Sequence, residues 1–319
     1  MSSDSDVRNP ADASSVMEVE SLEQQISKLS FSQRAVAEEQ VILKSLNFKT
    51  RPVRHSSIPK AHQKTFEWVY QLAGSNPTRA TYITKWLNCG DGLFWVSGKP
   101  GSGKSTFMKF IADEPRTLGL LSEWSGSKQI IIASHYFWSA GTTMQKTQEG
   151  LLRTLLHEIF RQCSELIMPV CGNRCPSLSE ESEGGFLPWT LSDLHAIIRK
   201  ITARDTTSVR FCFFIDGLDE YDGDHVELCN ILKDLARSAN FKIFISSRPW
   251  NVFEEAFGDD HQSKLYMQDL TRNDILEYTR CLLYEHPRWP SLTTKSSQGD
   301  WLIEEIEKRA CGVFLWVSL

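Results

Sequence analysis

The stretch Leu93-Phe94-Trp95-Val96-Ser97-Gly98-Lys99-Pro100-Gly101-Ser102-Gly103-Lys104-Ser105-Thr106 runs from an apolar segment through a glycine-rich turn to a lysine and two hydroxyl residues. From Gly98 it satisfies G-x-x-x-x-G-K-[ST], in the context that pattern needs: a strand before it and a helix after it. The three glycines let the backbone turn so tightly that successive N–H groups face a phosphate, and the helix opening near Lys104 adds its positive end. Gly98, Pro100, Gly101, Ser102 and Gly103 therefore read as a phosphate cradle. Lys104 is expected to reach the β- and γ-phosphates, Ser105 to give its hydroxyl to Mg²⁺, and Thr106 to lie beside the α- and β-phosphates. The implied ligands are ATP or ADP with Mg²⁺.

Working outward, apolar runs alternate with helical patterns: strands are expected at Leu93 to Ser97, Gln129 to Trp138, Val209 to Asp216, Lys242 to Ser246 and Lys264 to Met267. Such alternation predicts an α/β fold with a parallel sheet and crossover helices. Helices are expected over Thr143 to Gln162, with Leu151, Leu152, Leu155, Leu156 and Ile159 on one face, and over Leu191 to Ile201, where Thr190 and Asp193 match a capping box.

Two further strand ends carry chemistry. Phe211-Cys212-Phe213-Phe214-Ile215-Asp216 ends in a carboxylate, the expected Walker B aspartate holding Mg²⁺ together with Ser105. After Gly217 and Leu218 come Asp219 and Glu220. A carboxylate beyond the metal aspartate can orient the attacking water or take its proton, with Glu220 the first choice and Asp219 the second. Phe241 to Pro249 is another apolar strand with a polar end, and it sets Arg248 at the crevice beyond the sheet. There a guanidinium can sense or stabilise the γ-phosphate; a structural salt bridge is the rival reading. His135, His157 and His195 read as structural.

The rest of the chain divides by composition. Residues 1–15 are small and polar and read as disordered. Val16 to Leu46 has apolar residues at three- and four-residue steps, a helical arm with a break near Ser30 to Ser32. The arm either packs on its own domain or meets a partner. Residues 47–91 read as a linker, basic up to Lys64, followed by lead-in helices over Thr65 to Ala73 and Arg79 to Leu87. The nucleotide-binding core is assigned to 92–269, with Cys171 to Pro188 as a surface loop, and 270–319 to a helical region. A net charge of −5 disfavours nucleic acid as principal ligand. The eight cysteines are scattered without zinc spacing, which fits free thiols in a reducing cytoplasm. No secretory h-region and no apolar run of membrane-spanning length is found.

With these elements assembled, the sequence resembles a NACHT-type NTPase of the STAND group, closest to fungal proteins whose P-loop module is called nephrocystin-3-like. The likeness is carried by Phe214-Ile215-Asp216-Gly217-Leu218-Asp219-Glu220, which resembles the NACHT form of Walker B, and by Ser246-Ser247-Arg248-Pro249, which resembles its sensor 1. Ile58-Pro59-Lys60-Ala61-His62, Thr65-Phe66-Glu67-Trp68 and Ser134-His135-Tyr136-Phe137-Trp138 look like the family's lead-in segment and second strand. The resemblance implies a five-stranded sheet ordered 5-1-4-3-2. It also implies a slowly hydrolysing signalling switch, closed with ADP and self-associating with ATP, as in fungal self/non-self or immune-like signalling. An effector partner would then act through the N-terminal arm. Members of the family continue into a winged helix and sensing repeats, whereas this sequence stops at Gly312-Val313-Phe314-Leu315-Trp316-Val317-Ser318-Leu319, which is expected of a fragment or a shortened product. A binding-only nucleotide module and a P-loop phosphotransferase are the alternatives. A GTPase is disfavoured because no Asn-Lys-x-Asp guanine reader occurs.

Overall fold

Five short strands pair side by side, and what lies on either face of them decides the architecture. The computed structural model describes residues 33, 35–62, 65–71, 79–172, 188–203, 208–289 and 296–318. In chain order these form helices α1 (35–46), α2 (Val53–Ser57) and α3 (Arg79–Cys89), strand β1 (Gly92–Ser97), α4 (Lys104–Asp113), α5 (Pro115–Ser125) and β2 (Gln129–Tyr136). Next come α6 (Gln148–Gln162), α7 (Ile167–Cys171), α8 (Leu191–Thr202), β3 (Val209–Asp216), α9 (His225–Ala236), β4 (Phe241–Ser247), α10 (Asn251–Phe257) and β5 (Lys264–Tyr266). Helices α11 (Arg272–Glu285), α12 (Ser296–Ala310) and α13 (Phe314–Ser318) complete it.

All the strand pairings are parallel, and the spatial order is β2-β3-β4-β1-β5, the 5-1-4-3-2 sheet that the resemblance implies. A parallel sheet is covered on both faces, so its strands read as unbroken apolar runs. The two-residue period then sorts them. Phe211, Phe213 and Ile215 of β3 join Ile243 and Ile245 of β4 beneath α6, α8 and α9. Cys212, Phe214, Phe94 and Phe244 face α3, α4 and α5 on the other side. Phe94 and Phe244, register partners, stack with centroids 5.1 Å apart.

Three expectations change. Thr65 to Ala73 is not a helix: only a 3-10 turn, Glu67–Val69, forms among its described residues. Phe66 adopts the left-handed φ of 69°, and its N–H and the Trp68 indole both bond Asp274 Oδ2 (3.3 and 2.8 Å), a tertiary capture that overrides the helical period. Thr143 to Gln162 is broken, since Thr142 and Gln145 form a capping box around a 3-10 turn and Thr147 starts α6 afresh. The second strand ends at Tyr136, with Trp138 beyond it.

The described part of the arm, α1, packs on its own domain. Ile42 and Leu46 are fully buried among α6 and α8 residues, and Arg153 of α6 donates to the carbonyls of Ser45, Leu46 and Asn47. The segment read as a linker holds α2 and is bonded to the core on both sides of it. The disordered start, the first half of the arm with its break, and most of the Cys171 to Pro188 loop lie outside the described residues. Thr190 and Asp193 form the capping box expected at the start of α8. No helix among the described residues is long and apolar enough to cross a membrane.

Candidate functional site

At the carboxyl ends of β1, β3 and β4 the chain leaves the sheet in three turns, and these enclose one cavity of about 720 Å³, a size that suits a nucleotide. The first turn is the loop between β1 and α4. Gly101 and Gly103 take φ of 73° and 87°, which an L side chain adopts only under strain. Pro100, Gly101, Ser102, Gly103, Lys104, Ser105 and Thr106 all line the cavity. Gly98 does not; its carbonyl instead accepts from Lys104 Nζ at 2.8 Å, and the Lys99 carbonyl accepts from the same ammonium at 3.1 Å. Burial pushes the Lys104 ammonium below the usual lysine range, with Asp219 and Asp216 opposing that shift. The Ser102 hydroxyl is buried and has no hydrogen-bond partner among the described residues.

The second turn follows β3. Asp216 is almost fully buried, and burial raises its carboxyl above the ordinary range against the hydroxyls of Ser105 and Ser246 and the charge of Lys104. Ser246 donates to Asp216 Oδ1 (2.5 Å) and accepts from the Gly217 N–H (3.0 Å), so β4 fixes the carboxylate that β3 carries. A buried carboxylate beside a hydroxyl is the donor set that suits a hard divalent cation. Among the described residues no group of three His, Cys, Asp or Glu could hold a metal, so a cation here would draw its other ligands from phosphate and water.

The two acidic candidates are held differently. Asp219 accepts from both the backbone N–H and the Nε of Arg248, at 2.9 Å each, and its side chain is 3% exposed. Glu220 lines the cavity and is held by Oε2, which accepts from the N–H and hydroxyl of Ser139 (2.8 and 3.1 Å). Arg248 lines the same cavity, half-exposed, so its salt bridge and its place at the site coexist.

Several residues at the site were not singled out from the sequence: Arg54, Tyr278, Phe314 and Leu315 on the cavity lining, and Ser246 as the buried partner of Asp216. Arg54 had a signal in the basic run before residue 64, and Ser246 in the Ser-Ser-Arg end of its strand. Phe314 and Leu315 come from the far end of the chain. A Cβ on Gly101 would meet Leu315 Cβ at 2.8 Å, one on Gly103 would lie 3.3 Å from the Phe314 ring, and the Leu315 N–H donates to the Gly101 carbonyl (3.1 Å). His135, His157 and His195, read as structural, are not on the cavity lining, whereas His62 is. His135 is buried against Phe137 and its imidazole is pushed down to about 3 by burial, so it is neutral at physiological pH.

Comparison with known proteins gives the family. The family model described as nephrocystin 3, N-terminal matches residues 73–248, from the lead-in to Arg248. The vegetative incompatibility protein HET-E-1 of Podospora anserina is 24% identical over 232 residues, covering 71% of this chain and 16% of that protein. The chain thus spans about one sixth of that relative's length. A solved structure of Drosophila ORC bound to DNA aligns with 75% of this chain and 58% of its own, at 15% identity and a TM-score of 0.37, a likeness too slight to bear on ligand or partner.

Proposed function

This chain belongs to the nephrocystin 3, N-terminal family, a NACHT-like P-loop NTPase module, and from that premise we propose that it binds ATP with Mg²⁺, hydrolyses it slowly and acts as a nucleotide-dependent switch. The observation that carries the reading is the convergence of Lys104, Ser105, Asp216, Glu220 and Arg248 on one cavity from three separate strand ends.

Each residue has a task that its surroundings support. The backbone N–H groups of the loop up to Gly103 and the start of α4 would hold phosphate oxygens. Lys104 would exchange its two carbonyl partners for the β- and γ-phosphates, and its partial desolvation strengthens that attraction. Ser105 and Asp216 would hold Mg²⁺, which supplies charge neutralisation of the phosphates when bound. Glu220, oriented by Ser139, would position the attacking water. Arg248, steadied by Asp219, would meet charge at the terminal phosphate. Switching requires the two nucleotides to favour different conformations. The contacts of Phe314 and Leu315 with Gly103 and Gly101 give the helical region a direct hold on the phosphate loop.

Titration calorimetry with Mg²⁺ and a slowly hydrolysed ATP analogue tests the site. The wild-type chain is expected to bind, and Lys104→Ala to lose binding by about 10²-fold or more, since a charge-assisted contact to phosphate is removed from a desolvated loop. Equal affinity of the two proteins would refute the assignment.

A further inference from the structure

Arg54 lies outside the segment 73–248 that matches the family model, yet it lines the same cavity as Lys104, Ser105, Asp216 and Glu220. It stands on α2, a five-residue helix that the phosphate-loop helix itself holds. Lys109 of α4 donates to the carbonyls of His55 and Ile58 at 2.8 Å each, and His55 Nε2 lies 3.2 Å from Asp113 Oδ2. On the other flank Gln145 donates to the Thr50 carbonyl (3.2 Å) and Arg51 pairs with Glu158 of α6. The turn bearing Arg54 is thereby fixed to α4 and α6 together.

The Arg54 guanidinium is placed by its surroundings, but no protein acceptor among the described residues hydrogen-bonds it. Its carbon lies 5.5 Å from the centroid of the Trp138 ring, and its Nε is buried with no hydrogen-bond partner among the described residues. A buried donor left unpaired is costly, more so on a charged group. Arg54 lines a cavity built on a phosphate loop and its charge acts on the buried Asp216, so an oxygen of an anionic ligand in that cavity is the acceptor its terminal nitrogens would meet. The position favours one end of that ligand. Trp138 is followed by Ser139, whose N–H and hydroxyl hold Glu220, so Arg54 sits on the side of the cavity where water would be activated.

We propose that Arg54 contacts the terminal phosphate of a bound nucleoside triphosphate, a guanidinium supplied in cis by the lead-in segment, and that a diphosphate leaves it without its acceptor. The proposal rests on the reading of this cavity as a Mg·ATP site. It makes α2 a triphosphate-reading element, although it precedes the matched family segment.

The test compares the full chain, Arg54→Gln and Arg54→Lys by titration calorimetry with Mg·ADP and with a slowly hydrolysed Mg·ATP analogue, with thermal melts as a folding control. Arg54→Gln is expected to weaken the triphosphate analogue about 10- to 100-fold and to change ADP affinity less than about threefold. Equal losses for both nucleotides, or no loss, would overturn the proposal. Should Arg54→Gln fail to fold, Arg54→Lys, which keeps the charge but not the planar fork, carries the test. Loss confined to the triphosphate then upholds the proposal, and equal or absent losses overturn it. A wild-type chain that binds neither nucleotide defeats the nucleotide reading and this inference with it; wild-type binding with an unselective Arg54→Gln defeats the inference alone.

Discussion

Asp219 and Glu220 are adjacent carboxylates, and their partners separate their roles. Asp219 is buried against Arg248, whose backbone and guanidinium both donate to it. Removing that carboxylate would leave the Arg248 donors unpaired and loosen the turn after β4. Glu220 faces the cavity and, among the described residues, is hydrogen-bonded through its side chain by Ser139. Glu220→Gln keeps the size and one acceptor oxygen of the side chain but cannot take a proton. Steady-state phosphate release by this variant is expected to fall about 10²- to 10⁴-fold while nucleotide affinity stays within a few-fold of wild type. Asp219→Asn should instead lower the melting temperature and weaken binding, because it disturbs the placement of Arg248. If Glu220→Gln turns over like wild type, water activation belongs to another group. From the sequence Glu220 was preferred to Asp219 for handling water, and that role is a proposal. The partners that distinguish the two were not legible, because Ser139 and Arg248 reach them from turns 81 and 29 residues away in the chain.

At the scale of the element, legibility followed locality. The strands could be read because burial on both faces forces a local apolar run, and the phosphate loop because its chemistry is contiguous. Helix α8 could be read because Thr190 and Asp193, three apart, satisfy each other. The expected helix at Thr65 failed because Asp274, on α11, captures Phe66 and Trp68 from more than two hundred positions away. Lys242 is a similar case: a lysine at the start of β4 whose pattern position is core. It is fully buried, its ammonium donates to the carbonyls of Trp86 and Leu87 (2.5 and 2.6 Å), and it lies 4.4 Å from the Trp124 centroid. Burial pushes its ammonium down to about 8 from an ordinary 10.5. Between these values the unfolded chain holds a proton that the folded chain has released, so this group's contribution to stability rises with pH across that window. Below about 8 the cost of a buried charge is present in full. The melting temperature of wild type relative to Lys242→Met is therefore expected to rise as pH goes from 7.5 to about 10. A flat difference would mean that the ammonium keeps an ordinary affinity for its proton. Nucleotide binding should be unaffected below the melting range, since Lys242 pairs with Gly92 at the end of the sheet opposite the cavity.

Across the whole molecule, segments from both ends of the chain close on the phosphate loop. From the N-terminal side, α2 is bonded to α4 and brings Arg54 to the cavity. From the C-terminal side, the Leu315 N–H bonds Gly101, Lys99 donates to the Cys311 carbonyl (3.3 Å), and the Phe314 ring lies against Gly103 and 6.3 Å from Phe66. Asp274 ties the two sides together through Trp68 and Phe66. The loop thus touches α13, and through Phe314 that contact continues to Phe66 of the lead-in segment and Tyr278 of α11. If diphosphate and triphosphate set that junction differently, the exposed apolar side chains of the helical region, Trp301, Leu315 and Trp316 among them, are surface whose presentation can change with it. Light scattering on the purified chain with no nucleotide, with Mg·ADP and with Mg²⁺ and a slowly hydrolysed ATP analogue reads this directly. A rise in mass is expected with the triphosphate analogue alone, and Lys104→Ala should abolish it. An unchanged mass in all three conditions, with binding confirmed by calorimetry, would sink the switch for this chain while leaving nucleotide binding and hydrolysis intact. Assembly that occurs equally with ADP would show that the junction does not distinguish the nucleotides, because a ligand that favours neither conformation shifts no population.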